Sequence, residues 1–449
     1  MSIGAGDEGF KKKRILSPWI LIIAGFAAVI LLGTVLLMLP ISSKGKPAPF
    51  SDALFTAVSA ACVTGLVVRD TASSWTGFGQ AVLLVLIQIG GLGVVTAVTS
   101  LTMISGKRLS LFTRSTMQNA MSAPQIGGIV RLTKFVLSGT FIMEFAGALA
   151  LMPTFIPRYG ARGIWLSVFH SVSAFCNAGF DVMGSSTGEY SSLTAFSANA
   201  NVSLVIILLI FIGGIGFLTW DDARTHKFRF SKYSMQSKTA LTVSGVLILV
   251  PAVWFFLKDL KGLPIGERLL SALFQAVTPR TAGFNTADLN ALSGPSKGLM
   301  TGLMLIGGSP GSTAGGMKTT TFALLCANVI STFKKSPDVH LFKRRVEATT
   351  VRTASTLFLM YVVLFFIGAS AISFIEGIGM GDCLFETASA LGTVGLTLGI
   401  TPTLGTASRC ILMALMFAGR VGGLTLVYAF LPGSLRGVSK LPQENMTVG

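Results

Sequence analysis

The sequence predicts an all-α polytopic membrane protein: eight transmembrane helices, built as four span–short helix–span repeats around one central axis. Three observations predict it. Of 449 residues, 51% are apolar and only 12% charged, about half the charged share of an ordinary soluble domain. Eight apolar runs approach or exceed the roughly 20 residues that a bilayer core requires. A twelve-residue segment recurs four times between paired runs. A soluble globule, a disordered chain and a disulfide scaffold are excluded by the first observation alone. Cys62, Cys176, Cys326, Cys383 and Cys410 are scattered without a CxxC pair, which argues against a metal site.

The elements follow in chain order. A tail, 1–14, ends in Lys11, Lys12, Lys13 and Arg14. The apolar run from Ile15 to Ile41 is too long for a signal-peptide core and reads as a retained span. Further runs cover 78–104, 135–156, 202–220, 239–257, 298–333, 354–375 and 410–432. Paired in order, they give repeats at 15–104, 105–220 (with its preceding cytoplasmic loop), 221–333 and 334–432, then a tail, 433–449. Eight spans leave both termini on one side. The net charge is +17, and 22 of the 35 Lys and Arg residues fall at the ends and loops of that side. The positive-inside rule therefore makes both termini cytoplasmic in a multi-pass plasma (inner) membrane protein. The same rule accounts for the charge without a nucleic-acid partner.

The recurring segments are FTAVSAACVTGL (55–66), FHSVSAFCNAGF (169–180), LFQAVTPRTAGF (273–284) and FETASALGTVGL (385–396). They align without gaps, each a short helix followed by a glycine at the eleventh position. Irregular backbone cannot face lipid, so these stretches must lie in protein or line a water-filled path. Four of them from one chain would most simply surround a common pore, in the manner of a potassium-channel-like pseudo-fourfold. Inward carbonyls would replace an ion's hydration shell, and glycine permits φ > 0 with no side chain in the way. The candidate filter residues are Val63, Thr64 and Gly65; Asn177, Ala178 and Gly179; Thr281, Ala282 and Gly283; and Thr393, Val394 and Gly395. The eighth position varies (Cys62, Cys176, Arg280, Gly392), so backbone and not side chains would coordinate. The second spans carry IGGLG (89–93), IGGIG (212–216), IGGSPG (306–311) and AGRVGG (418–423). Their paired glycines read as sites of close helix packing.

On these motifs the chain resembles the Trk/Ktr/HKT superfamily of potassium transporters, most closely the KtrB-type membrane subunit of bacterial Ktr systems, from Leu16 onward. The resemblance implies potassium uptake through a four-segment selectivity filter, with K+ as the transported ion. Members with Ser at the first filter glycine favour Na+, so glycine in all four segments implies K+ preference. The resemblance also implies a homodimer on a cytoplasmic ring of RCK-type subunits that bind ATP or ADP, and Na+ as an activator. It implies no bound cofactor, and no catalytic constellation is present.

Two features inside the membrane stand apart. A continuous helix over 298–333 would run about 54 Å, and its middle, GGSPGSTAGGMK (307–318), cannot sustain a helix. It is expected to be a broken second span whose intramembrane loop blocks flow beneath the filter. Its gating residues would be Gly308, Ser309, Pro310, Gly311, Ser312, Thr313, Ala314, Gly315 and Gly316. Lys318 would either anchor the loop or snorkel. Arg420 stands where Gly91, Gly214 and Gly308 stand in the other repeats. A charge at membrane depth costs at least about 2.5 kcal/mol. It would contact the loop, either as a positive barrier to K+ or as a plain hydrogen-bond donor. Asp52, Asp181 and Glu386, near the outer mouth, would cap helices or concentrate cations. His170 reads as structural, His226 and His340 as solvated. The competing class is a coupled alternating-access secondary cation transporter, whose hallmark is broken helices at the midplane.

Overall fold

The computed structural model describes residues 18–104, 110–121 and 127–430. Both tails, and with them Lys11–Arg14, Arg436 and Lys440, lie outside the described residues, as do Lys107 and Arg108. Single-turn helices aside, the first half runs α1 (Pro18–Met38), α2 (Phe50–Ala61), α3 (Gly77–Leu92), α4 (Val94–Ile104), α5 (Leu111–Ala120), α6 (Ile129–Tyr159), α7 (Arg162–Phe175), α8 (Ala200–Gly214) and α9 (Phe217–His226). The second half runs α10 (Met235–Lys258), α11 (Ile265–Val277), α12 (Gly294–Leu305), α13 (Thr319–Phe333), α14 (Ala348–Glu376), α15 (Met380–Gly392), α16 (Thr406–Val421) and α17 (Gly423–Phe430). One small hairpin, β1 (His340–Leu341) against β2 (Arg344–Arg345), follows α13.

The molecule is all-helical, and α1, α6, α10 and α14 are each long and apolar enough to cross a membrane. The pairs α3–α4 and α8–α9 raise that number to six if each bent pair is one span. Leu31, Leu32, Val35, Phe141, Ile142, Phe145, Leu249, Val250, Leu359 and Ile367 on the four long helices are exposed, a distribution suited to a hydrocarbon solvent. The buried core lies inward, against the short helices α2, α7, α11 and α15, which are lined by residues such as Phe55, Phe169, Phe274 and Phe385.

The sequence expects one broken second span; the structure has a break in every repeat. The α3–α4 pair turns by 100° and the α8–α9 pair by 96°, and α16, ending at Val421, is separated from α17 by the single residue Gly422. The hinge residue has one conformation in all three: Gly93 (φ 84, ψ 134), Gly216 (φ 94, ψ 140) and Gly422 (φ 89, ψ 137). That region of backbone space is essentially restricted to glycine. The signal was present in the sequence as the third glycine of IGGLG and IGGIG and its counterpart in AGRVGG. In the remaining repeat Pro310 takes the equivalent place, and the chain makes the loop between α12 and α13 instead.

The first glycine of each pair does pack closely. A Cβ on Gly90, Gly213 or Gly419 would fall inside 3.0 Å of the carbonyl oxygen of Ala61, Phe175 or Leu391, at the end of the short helix of its own repeat. In the third repeat Gly307 makes the same approach to Gly315 in the loop.

Candidate functional site

The ends of α2, α7, α11 and α15 converge. In the first, second and fourth repeats the chain leaves the helix in the same way: Thr64 N donates to Ser59 O, Ala178 N to Ser173 O and Val394 N to Ser389 O, each at 2.8 Å. In the third, Pro279 has no N–H and disfavours helix in the residue before it. There α11 stops at Val277, and Ala282 N donates to Thr278 O at 3.0 Å.

Beyond that local difference all four segments take one conformation. The ninth residue is left-handed in each: Val63 (φ 55), Asn177 (φ 57), Thr281 (φ 64) and Thr393 (φ 52). Three of the four are β-branched, for which a positive φ is a genuine outlier, at a cost of about 1–3 kcal/mol each. Such strain persists only where the surroundings over-determine it. The eleventh residue follows with Gly65 (φ 92), Gly179 (φ 68), Gly283 (φ 78) and Gly395 (φ 95).

These glycines close a ring in chain order. A Cβ on Gly65 would sit inside 3.0 Å of Ala178 O, one on Gly179 of Ala282 O, one on Gly283 of Val394 O, and one on Gly395 of Thr64 O. Each repeat thus presses its glycine on the carbonyl of the next, and the fourth returns to the first. Val63, Thr64, Asn177, Ala178, Thr281, Ala282, Thr393 and Val394 are all buried. The geometry brings carbonyl dipoles from four segments to one place, which is the chemistry for holding a dehydrated cation.

The loop between α12 and α13 lies directly against this ring. A Cβ on Gly315 would collide with the side chain of Thr393, and Thr313 Oγ1 donates within 3.0 Å of Asn177 Oδ1 and Phe175 O. The loop has two seats. On the second repeat, Ser309 N donates to Gly214 O (2.9 Å), Thr313 N to Gly213 O (3.2 Å), and Phe217 N to Gly311 O (2.7 Å). On the fourth, Gly316 N donates to Gly419 O at 3.2 Å. Internally, Ser312 Oγ donates to Ser309 O (2.6 Å), Ser309 Oγ and Thr319 Oγ1 share a hydrogen bond (3.0 Å), and Lys318 Nζ donates to Ala314 O (2.7 Å). Gly308 packs on Ala314, and Pro310 presents its carbonyl to Gly216.

Arg420 spans the loop and the first repeat. Its guanidinium donates to Thr313 O, to Gly90 O, and to Gly91 O at 2.9 Å. Gly90 O also accepts from Gly93 N at 3.1 Å, and Gly91 O lies in the last turn before the break, where helical acceptors run out of partners. A single five-donor side chain thus joins three backbone carbonyls from two repeats. A cavity of about 240 Å³ adjoins the loop, lined among others by Gly93, Ser312, Lys318, Arg420 and Gly422. The α5 helix also reaches this layer: Met121 O faces Gly311. Nothing in the sequence distinguished α5 from an ordinary basic loop.

Of the three outer carboxylates singled out in the sequence, Asp52, Asp181 and Glu386, none caps a helix. Asp52 pairs with Arg69 (2.7 Å) and Arg409 (2.9 Å), tying the first repeat to the fourth. Glu386 accepts from Leu398 N (3.2 Å), Thr401 Oγ1 (2.7 Å) and Thr397 Oγ1, and so holds the chain beyond the fourth glycine. Asp181 accepts from Met183 N at 3.0 Å. His170 is buried, with Nδ1 2.8 Å from Leu166 O, in keeping with a structural role.

Comparison with known proteins adds a family. A family model described as TrkH, cation transport protein, matches residues 10–434. The potassium/sodium uptake protein NtpJ of Enterococcus hirae is 38% identical, over 98% of this chain and 99% of its own length. The Ktr system potassium uptake protein B of Bacillus subtilis is 39% identical over 94% of this chain and 95% of its own. Its counterpart from Vibrio alginolyticus is 33% identical over 96% and 94%. The crystal structure of the potassium transporter TrkH from Vibrio parahaemolyticus shares the fold, with a TM-score of 0.75 at 18% identity over 94% of this chain and 86% of that one. Family and relatives alike are transport proteins and not enzymes.

Proposed function

The chain belongs to the TrkH family of cation transport proteins, and from that membership we propose that it is the membrane subunit of a Ktr-type potassium uptake system. K+ passes through a filter formed by Val63–Gly65, Asn177–Gly179, Thr281–Gly283 and Thr393–Gly395. The 308–316 loop, Lys318 and Arg420 gate it from the cytoplasmic side. The observation that carries this reading is the ring of four glycines, each against the carbonyl of the next segment. A closed ring of backbone carbonyls suits an ion whose water must be replaced evenly on all sides.

The wider architecture is part of the same proposal. Counting α12–α13 and α16–α17 as broken spans beside the four long helices and two bent pairs gives eight spans, as four repeats around one pseudo-fourfold pore. Both termini are cytoplasmic. The loop interrupts the path and is pinned by Arg420, whose charge adds a barrier to a cation below the ring. The Ktr-named relatives support assembly with other Ktr components; we place this chain as a homodimer on an RCK-type, ATP- or ADP-binding ring. The name of the Enterococcus relative, which pairs potassium with sodium, supports Na+ as an activator.

The breaks in the second spans favour a second reading, coupled alternating access, because broken helices also build carrier sites. The test is cation uptake by purified protein in liposomes, comparing K+, Rb+ and Na+ for wild type and Gly65→Ser. Gradient-driven K+ and Rb+ flux in wild type, with discrimination against Na+ lost in the variant, supports the pore. Indifference to the substitution, or a co-substrate required for every cycle, supports the carrier.

A further inference from the structure

We propose that Arg280 sets the ion affinity of the glycine ring: an unpaired buried guanidinium at the end of α11 weakens K+ binding enough for the ion to leave. The inference rests on the reading of the ring as an ion filter.

Arg280 occupies the eighth position of its segment, where the other three hold Cys62, Cys176 and Gly392. Its backbone N donates to Val277 O at 3.0 Å, which places it in the turn that closes α11. The next residue is Thr281, the first of the filter triplet. Its side chain leaves the ring and enters the protein: the residue is 6% exposed, and Nη2 donates to Ser244 Oγ of α10 at 2.8 Å. Nε has no partner. The ion pairs among the described residues are Arg69–Asp52, Arg409–Asp52 and Arg345–Asp338, so no carboxylate there balances Arg280. Gln275, buried on the same helix, has neither side-chain polar atom partnered, and it is neutral in any case.

The electrostatic consequence follows from helix geometry. A helix carries about half a negative charge at its C-terminus. All four short helices point that end at the ring and so attract a cation there. In the first, second and fourth segments the eighth residue is uncharged (Cys62, Cys176, Gly392), so the segment itself carries nothing that opposes the attraction. In the third, a full positive charge in a low-dielectric surround overrides it. An uncompensated charge in a membrane interior is costly and marks a functional position by default. Conduction supplies the reason: the ion must bind well enough to enter and weakly enough to exit.

A plain structural tether between the third segment and α10 makes a different prediction, so three variants separate the two. In the liposome uptake assay, Arg280→Gln removes the charge and keeps a polar side chain. It is expected to lower the KM for K+ by about fivefold, the scale of a charge at a helix end, with kcat falling as release slows. Arg280→Lys keeps the charge and should stay within about twofold of wild type. Ser244→Ala removes the tether and should leave KM unchanged. An unchanged KM in Arg280→Gln, or the same drop in Ser244→Ala, overturns the proposal. If Arg280→Gln yields no monodisperse protein, Ser244→Asp neutralises the guanidinium in place. The same fall in KM is then expected, and an unchanged KM overturns the idea. Wild-type K+ flux together with the Gly65→Ser response tests the filter itself, so a failed affinity effect beside an intact filter response falls on Arg280 alone.

Discussion

The glycine ring and the layer just inside it are built from the same four repeats, yet one keeps the repeat and the other departs from it. In the ring, the ninth and eleventh residues have the same left-handed backbone four times over. In the inner layer three repeats hinge at Gly93, Gly216 and Gly422, while the third replaces the hinge with a loop and the fourth replaces a glycine with Arg420. The difference teaches where uniformity has a physical cause. A site that replaces a hydration shell is served by equivalent dipoles on every side. On the proposed reading the inner layer is a barrier, and a barrier needs only one obstruction: a single loop and a single charge suffice.

The largest effect should come from breaking the ring. Gly395 and Gly399 share φ 95, but a Cβ on Gly395 would collide with Thr64 O whereas one on Gly399 meets nothing within 4 Å. Gly395→Ala should reduce K+ uptake by about a hundredfold or more, from the same backbone strain of about 1–2 kcal/mol plus the collision with Thr64 O. Gly399→Ala should transport nearly normally at a cost of about 1–2 kcal/mol in stability. Equal transport losses in the two variants would show that backbone strain, and not ring closure, is what matters.

The inner layer should respond in the opposite direction. Arg420→Ala frees the loop carbonyl of Thr313 and removes a positive charge, so K+ flux should rise about tenfold, the scale of one charge-assisted hydrogen bond, while K+/Na+ discrimination holds. Unchanged flux would reduce Arg420 to a structural donor. Thr313→Val removes a single hydroxyl from Phe175 O and Asn177 Oδ1. A rise in flux of about fivefold is expected, corresponding to roughly 1 kcal/mol of lost loop anchoring. A fall in flux would mean that the loop supports the ring instead of obstructing it.

The smallest effect belongs to the outer mouth. Asp52 is partly exposed, with arginines on both sides, and such pairs contribute up to about 1 kcal/mol. Asp52→Asn should lower the midpoint of thermal unfolding by only a few degrees (about 2–4 °C) and leave ion discrimination unchanged. Altered discrimination would extend the functional region outward from the ring.

Much of the site was legible because glycine leaves a mark in a sequence. The recurring segments identify Gly65, Gly179, Gly283 and Gly395, and the interruption of α12–α13 is announced by Pro310 and the glycines around it. The hinges were legible too, as the third glycine of IGGLG and IGGIG and as Gly422 in AGRVGG, but a glycine-rich apolar run reads equally well as a packed helix. The partners of Asp52 and Glu386 were not legible. Asp52 meets Arg409 from the far end of the chain, and no local pattern signals such a pairing.

The sequence by itself determined an all-helical membrane transporter with four recurring segments, because apolar length and glycine spacing are local quantities with local consequences. Only the tertiary structure decided that the four glycines press on one another's neighbours in a closed ring, that Val63, Thr281 and Thr393 are held in a strained backbone, and that Arg420 reaches across to Gly90 and Gly91. Those facts depend on which carbonyls and side chains distant helices bring together, and that is settled by packing, not by any one stretch of chain.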